Sequence, residues 1–163
     1  MLIRKLDPVT DLAAVQDVYD HAKDYWALDR LEIDPAALAA AFFTDAPPNC
    51  DPAASHRLGL FDGARLAGIA ELSFGFPTPS DAYLGLMILA DWARNKGQGV
   101  VLLTELEARA RAKGHSHLFL GVLDNNPKGR AFWIRQGFTD TGVSRLDTDG
   151  GVTKTIQRLV KAL

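Results

Sequence analysis

The most informative stretch of the sequence runs from Tyr83 to Lys113, where an apolar run passes through a glycine-containing turn into an amphipathic helix. The apolar run (residues 83–89) mixes both faces, as a strand covered on both sides does. Further on, the residues predicted to face inward at helical spacing are Val100, Leu103, Leu106 and Ala110, and those predicted to face outward are Glu105, Glu107, Arg109 and Arg111. Lys113 and Gly114 then suit a helix end. The pattern predicts a strand, a tight turn and a crossover helix.

The turn between these two elements has the chemistry of an anion site. Gly97 and Gly99 carry no Cβ, so an anion can approach their backbone closely. The first N–H groups of the helix have no intrahelical acceptor, and the helix dipole adds partial positive charge there. A phosphate is a natural partner for such a turn. The same pattern also suits a plain tight turn, so the residues alone leave both interpretations open.

A dinucleotide-binding turn is the other ligand site to weigh. Gly97, Gly99 and Leu102 nearly spell G-x-G-x-x-G, and Asp124 follows the next strand as a ribose-binding acid would. Leu102 replaces the third glycine, however, and the first glycine lies several residues beyond the strand. A P-loop is excluded because no Gly-Lys-Ser/Thr sequence follows.

Two segments in this order resemble the motifs of one enzyme family. Residues 94–99 (RNKGQG) are similar to the R/Q-x-x-G-x-G/A pyrophosphate motif of the GCN5-related N-acetyltransferases (GNAT). About thirty residues later, the family's N-x-x-A/G-x-x-F-Y-x-x-x-G-F segment is matched by Asn126, Gly129, Phe132, Trp133, Gly137 and Phe138. The resemblance is specific in its motifs from Tyr83 to Phe138, and the order of elements extends it over nearly the whole chain.

The resemblance implies acetyl-CoA as cofactor and an α+β fold: a mixed, mostly antiparallel central sheet with helices on both faces and a splayed parallel strand pair. In the family, free backbone groups of the splayed strand bind the pantetheine arm. By position, the implied cofactor-binding residues are Met87, Ile88, Leu89, Arg94, Asn95, Lys96, Gly97, Gln98, Gly99, Val100, Asn126 and Trp133. The implied activity is direct transfer of an acetyl group from the thioester to a primary amine.

The catalytic groups depart from the family pattern. The position of the base in histone-acetylating members, a glutamate, is Tyr83 here, and tyrosine with a pKa near 10 is a poor base at neutral pH. A base acting through water, or Glu71 on the preceding strand, is an alternative. Trp133 stands where the family commonly has a tyrosine that protonates the leaving thiolate, and an indole N–H donates a hydrogen bond without transferring its proton.

These departures keep a second function open, that of a catalytically silent acyl-CoA-binding module. A nicotinamide-dependent oxidoreductase is a third hypothesis, carried only by the partial glycine pattern. The resemblance also places Tyr25, Trp26 and Phe76 at the acceptor cleft.

Composition and charge limit the number of domains and the kinds of partner that the chain can have. A chain of 163 residues, 47% of them hydrophobic, suits one domain over residues 1–163 with a sizeable core. The net charge of −2 gives no reason to expect nucleic acid or an anionic membrane as partner. Residues 1–91 hold six basic and fourteen acidic residues, which predicts a cationic amine acceptor, whether a small molecule or a peptide lysine. Whether two chains form a homodimer stays open.

The remaining signals concern location and metal binding. Cys50 is the only cysteine, and no histidine or cysteine spacing suggests a metal site. The first residues lack the apolar stretch of a signal peptide, so we expect a cytoplasmic protein.

The sequence pattern predicts further strands and helices in the rest of the chain. The predicted strands are residues 2–6, 56–61, 66–74, 118–123, 138–145 and 152–159, and the predicted helices are 11–22, 36–43 and 128–136, with a connector at 23–33 and a loop at 46–54. Asp62-Gly63 is a hairpin signal, and Asp34-Pro35 and Asn126-Pro127 are helix starts.

Overall fold

The computed structural model describes all residues, 1–163. It contains seven strands and five α-helices. The strands are β1 (Leu2–Lys5), β2 (His56–Asp62), β3 (Arg65–Phe74), β4 (Ala82–Leu89), β5 (His117–Leu123), β6 (Thr139–Asp147) and β7 (Lys154–Ala162). The helices are α1 (Leu12–Asp20), α2 (Lys23–Asp29), α3 (Pro35–Phe42), α4 (Gln98–Ala112) and α5 (Pro127–Arg135), and a 3₁₀ turn spans Asp91–Ala93. None of the helices combines the length and apolar character needed to cross a bilayer.

One seven-stranded sheet runs through the molecule in the order β1-β2-β3-β4-β5-β7-β6. Every neighbouring pair is antiparallel except β4 and β5, which are parallel because α4 crosses over between them. Helices α4 and α5 pack on one face, where the largest core cluster lies, and α1, α2 and α3 pack on the other. The predicted fold class, a mixed and mostly antiparallel sheet with helices on both faces, is confirmed.

The parallel pair separates partway along its length. Pairing between β4 and β5 ends at Leu84 and Leu120, although β4 stays paired with β3 as far as Leu89. At the same point β4 contains a bulge, because Leu84 and Leu86 have partners in β3 while Gly85 between them has none. A bulge bends its strand and increases its twist, so β4 diverges from β5 beyond Gly85. This is the splayed parallel pair that the resemblance implies.

Two expectations about helices were wrong. The predicted connector at residues 23–33 contains α2, a seven-residue helix that buries Trp26. So short a helix has little intrinsic stability and depends on tertiary packing, which local sequence does not report. In α4, Val100 is exposed whereas Glu107, expected outside, is buried and forms a salt bridge with Lys161 of β7. A partner from a distant strand therefore decides the placement of Glu107.

Candidate active site

The first turn of α4 presents a run of unbonded amides. The N–H groups of residues 95–99 donate to no oxygen of the protein, whereas those of Val100 and Val101 both donate to the carbonyl of Gly97, at 3.0 and 3.2 Å. Gly97 has a φ of 77°, and a Cβ placed there would meet nothing within 4 Å. The turn is therefore open to a ligand, and its amides and the helix dipole suit a diphosphate.

Arg94 fixes this turn to the rest of the protein. Its Nε donates to the carbonyl of Leu89 at 3.0 Å, and its Nη2 donates to Oδ1 of Asp24 in α2 at 3.0 Å. The hydrogen bond from Arg94 lowers the pKa of the Asp24 carboxyl. The guanidinium is thus engaged within the protein, which leaves the backbone as the part of this motif that is available to a ligand.

A narrow pocket of about 220 Å³ lies in the gap between β4 and β5, on the α4–α5 side. Of the predicted cofactor residues it is lined by Met87, Leu89, Arg94, Gly99, Asn126 and Trp133. Ile88 points to the opposite face and packs in the core beside α1 and α3. The other predicted residues, Asn95, Lys96, Gly97, Gln98 and Val100, lie outside the lining, in the turn before α4 or its first residues.

Asn126 and Trp133 form the wall that α5 contributes. Oδ1 of Asn126 accepts from the backbone N–H of Gly129 at 3.0 Å, so this side chain caps the helix as the sequence predicts. Trp133 is 9% exposed and packs edge-on between Phe132 and Phe138, with ring centroids 4.9 and 5.4 Å away. Trp133 is consequently both a core residue and a side of the narrow pocket.

A wider cleft of about 820 Å³ opens on the other face of the sheet, between α1–α3 and the β6–β7 hairpin. The residues that line both this cleft and the narrow pocket are Tyr25, Gly85, Leu86, Gly121 and Leu123. The two spaces therefore meet through the sheet, at the gap where β4 and β5 separate. Burial raises the pKa of Tyr25 to about 12, so its hydroxyl stays protonated at this junction.

Two buried cations, Arg57 and Lys154, fix segments of the chain that surround this cleft. The guanidinium of Arg57, 5% exposed, donates to the carbonyls of Phe42, Asp45 and Pro52 and so fixes the loop after α3. On the hairpin side, the Lys154 ammonium bonds to the carbonyl of Asp29 at 2.6 Å. It also pairs with the carboxylates of Asp29 at 3.1 Å and Asp147 at 3.6 Å. Lys154 thereby ties α2 to the hairpin.

Glu71 is the buried carboxyl at the junction. It is 5% exposed, lines the wide cleft and accepts a hydrogen bond at Oε1 from Ser73, whose hydroxyl lies 2.7 Å from that of Ser55. A Cβ added at Gly85 would lie 2.1 Å from Oε2 of Glu71, so the carboxyl fills the space of the missing side chain. Burial raises the pKa of Glu71 above its usual range, and the hydrogen bonds from the two serines oppose this shift.

Tyr83 lies on the opposite side of the same junction. A Cβ added at Gly121 would lie 3.1 Å from its hydroxyl oxygen, and its ring packs edge-on against Phe76 at 5.0 Å. Burial raises the pKa of Tyr83 above 10, while the nearby cations Arg158 and Arg145 act to lower it. The phenol is therefore protonated near neutral pH and can donate a hydrogen bond but cannot take a proton from an ammonium.

Sequence reasoning missed several residues of this site. Gly85 and Gly121 each interrupt an apolar strand. An isolated glycine in a strand often marks a bulge or a close approach of another group, so these two residues could have been predicted as part of the site. Arg145 and Arg158 line the wide cleft from the final hairpin, where nothing in the local pattern marks them. The structure contains no group of three or more His, Cys, Asp or Glu side chains placed to hold a metal ion.

The sheet separates at its only parallel pair, beside a helix that begins with free amides, and this arrangement suits an extended ligand that carries a diphosphate. A sequence model of the acetyltransferase (GNAT) family matches residues 15–138. The chain therefore belongs to the GNAT acetyltransferase family, whose fold uses acetyl-CoA. A comparison with curated protein sequences finds no match.

Solved structures share this fold over their full length. An acetyltransferase from Thermus thermophilus is 24% identical, with a TM-score of 0.76 and coverage of 100% of this chain and 98% of the other. The PaiA N-acetyltransferase from Thermoplasma acidophilum, in complex with coenzyme A, is 24% identical with a TM-score of 0.73 (99% and 98% covered). A ribosomal-protein-alanine N-acetyltransferase from Brucella melitensis is 22% identical with a TM-score of 0.74 (100% of each chain).

Proposed function

We propose that residues 1–163 act as one domain that transfers an acetyl group from acetyl-CoA to a primary amine by direct attack. One observation carries this proposal: the narrow pocket and the wide cleft meet at Gly85 and Gly121, with a buried carboxyl and a phenol beside the opening. A cofactor in the pocket and an acceptor in the cleft would approach each other only there.

The cofactor would be held largely by backbone. The free amides of residues 95–99 suit its diphosphate. Beyond Leu84 the edge of β4 has no partner in β5, which leaves backbone groups around Met87 for the pantetheine arm, whereas the carbonyl of Leu89 already accepts from Arg94. Asn126 and Trp133 would enclose the arm from α5. Acetyl-CoA supplies the acetyl group already activated as a thioester.

Glu71 would be the general base. A lysine-like amine with a pKa near 10.4 needs about 4.6 kcal/mol to be neutral at pH 7, so the site has to accept a proton. The ionised Glu71 carboxylate can accept it, directly or through one water, and its raised pKa makes it a stronger base than an exposed glutamate. Glu71 lines the wide cleft and lies against Gly85 at the opening, which supports its role as the base for an acceptor in that cleft.

Tyr83 would orient the acceptor or the acetyl oxygen rather than act as the base. Its hydroxyl lies over Gly121 at the opening and is protonated near neutral pH, so it offers a hydrogen-bond donor there. Trp133 would pack against the cofactor and can offer its indole N–H, but it does not transfer a proton at these pH values. We infer that solvent or backbone N–H groups assist the departing thiolate.

The acceptor would be an amine that enters as an ammonium ion. Asp45 and Glu71 belong to the acidic segment of residues 1–91. Both line the wide cleft and would attract this cation. A small amine and an amine of a protein, since the Brucella relative is named for a ribosomal-protein alanine, are both candidates for a cleft of about 820 Å³. We propose a cytoplasmic setting, with no nucleic acid or membrane partner, and leave a homodimer open.

Ligand-induced stabilisation followed by thiol release tests the proposal. Acetyl-CoA at one hundred times its Kd should stabilise the protein by about 2.7 kcal/mol, or ~5–10 °C in melting temperature. An amine panel assayed by release of free CoA thiol should then identify turnover, and Glu71→Gln should bind acetyl-CoA normally but react slowly. No thermal shift at millimolar acetyl-CoA would contradict the proposal. A shift without turnover on any amine would favour the silent acyl-CoA-binding module.

A further inference from the structure

The hairpin wall of the wide cleft carries two guanidinium groups, those of Arg145 and Arg158. Arg145 on β6 lies opposite Ile156 of β7, and Arg158 lies two residues further along β7, opposite Gly121 of β5. Diagonal neighbours on one face of a sheet are about 7–8 Å apart, within reach of long side chains. Both guanidinium groups can therefore reach one anion.

Neither of these cations forms a salt bridge, although Arg145 lies near Asp147, whose pKa is lowered by the backbone N–H of Asp149 and by the charges of Lys154 and Arg145. Of the cleft's other charged residues, Asp29 pairs with Arg30 and Lys154, and Asp147 pairs with Lys154, whereas Asp45 and Glu71 form no salt bridge. Arg145 and Arg158 also donate no side-chain hydrogen bond, and Arg158 stacks over the Phe76 ring with its guanidinium carbon 5.0 Å from the centroid. Stacking of this kind holds the planar group in place and leaves its N–H edge available.

We propose that Arg145 and Arg158 form an anion subsite that binds a carboxylate of the acceptor, so that the substrates are zwitterionic amines of the amino acid type. This inference rests on the proposed function, because it names the acceptor of that same site. The acceptor's ammonium end would face Glu71 and Asp45, and its carboxylate would face the hairpin. A guanidinium group can donate two parallel hydrogen bonds to one planar carboxylate, and a second guanidinium beside it adds further charged donors. Glu71 and Asp45 on one side of the cleft, and the two hairpin arginines on the other, would thus each recognise one end of one molecule.

Matched ligand pairs test the subsite. We would measure binding of N-acetylated amino acids and of the corresponding C-terminal amides to the protein saturated with CoA, together with acetylation of the unacetylated pairs. The carboxylate form of at least one pair should bind about ten to one hundred times more tightly than its amide, because charged hydrogen bonds are lost in the amide. Arg158→Gln and Arg145→Gln should each reduce this preference about tenfold or more, with little effect on binding of the amide or of CoA.

Arg135→Gln is the matched control, because Arg135 is exposed on α5 and outside both pockets. It should leave the carboxylate preference unchanged. Equal binding of carboxylate and amide in every pair would overturn the subsite, and so would a preference that survives both arginine substitutions. Turnover of polyamines or amides without any carboxylate preference would overturn the subsite while leaving the acetyltransferase function intact. Absence of CoA binding would instead contradict the proposed function.

Discussion

The carboxyl of Glu71 occupies the volume that a side chain at residue 85 would fill, since a Cβ on Gly85 would lie 2.1 Å from Oε2. Gly85 is also the unpaired residue of the β4 bulge, directly beyond the last parallel pair, Leu84 with Leu120. One glycine thus accommodates the candidate base and marks the point where the sheet opens. A substitution at this one position would therefore affect both the opening of the sheet and the placement of Glu71.

Replacing Gly85 with alanine should disturb both features. We expect Gly85→Ala to cost about 1–3 kcal/mol in unfolding free energy, because overpacking forces Glu71 or the strand to move, and to reduce kcat. Denaturant unfolding of Gly85→Ala, Glu71→Ala and the double variant checks this. Gly85→Ala should lower the free energy of unfolding by less in the Glu71→Ala background than in the native protein. Strictly additive changes in this free energy would contradict the predicted contact.

Glu71→Gln should remove the base while keeping the shape of the side chain. We expect kcat/KM to fall by about 10²–10⁴-fold. In the native enzyme, kcat/KM should rise with pH through the raised pKa of Glu71, because only the carboxylate accepts a proton. The kcat/KM of the Glu71→Gln variant should not show this rise with pH. Glu105→Gln, on the outer face of α4, is the control and should keep the native profile.

Glu71 should also leave a signature in stability. Its pKa is raised in the folded state, so the folded protein holds this proton more tightly than the unfolded chain does. The free energy of unfolding should therefore fall as pH rises from the usual glutamate pKa through the raised one. Denaturant titrations across this range should show the decline in the native protein and a smaller one in Glu71→Gln. Equal slopes would count against a buried, shifted carboxyl.

Gly97→Ala should separate ligand binding from stability. Gly97 and Gly114 both have positive φ, at 77° and 85°, and a Cβ at either would meet nothing within 4 Å. Alanine at each should cost about 1–2 kcal/mol of stability from left-handed backbone strain. Only Gly97→Ala should also weaken CoA binding, by about tenfold, because its methyl group and any backbone adjustment fall among the free amides. Calorimetric titration with CoA checks this, and equal Kd values for the two variants would contradict it.

Lys154→Met should loosen the connection between α2 and the hairpin. The Lys154 side chain is 1% exposed and pairs with Asp29 and Asp147. Its removal leaves Asp147 without a salt-bridge partner and Asp29 with Arg30 alone, for an expected cost of about 3–5 kcal/mol. Thermal unfolding checks this against Lys128→Met, an exposed control that should change stability by less than about 0.5 kcal/mol. A similar small change in both would show that the buried ion pair contributes little.

The fold was largely predictable because its signals are local. The hairpin at Asp62-Gly63 and the caps at Asp34 and Asn126 lie where their sequence patterns placed them. The tight turn before α4 was equally predictable, since its glycines lie close together within residues 94–99, and its binding of a cofactor stays a prediction. The α2 helix was missed because it is short and stabilised by packing of Trp26 rather than by its own pattern.

By itself, the sequence determined the strand–turn–helix unit, the crossover that makes β4 and β5 parallel, and the family resemblance. Tertiary structure alone decided that Glu71 is buried against Gly85, that Tyr83 faces Gly121, and that two unpaired arginines share one wall of the cleft. The physical reason is distance along the chain. Periodicity and capping are encoded among neighbours, whereas burial and charge pairing depend on residues that only the folded sheet brings together.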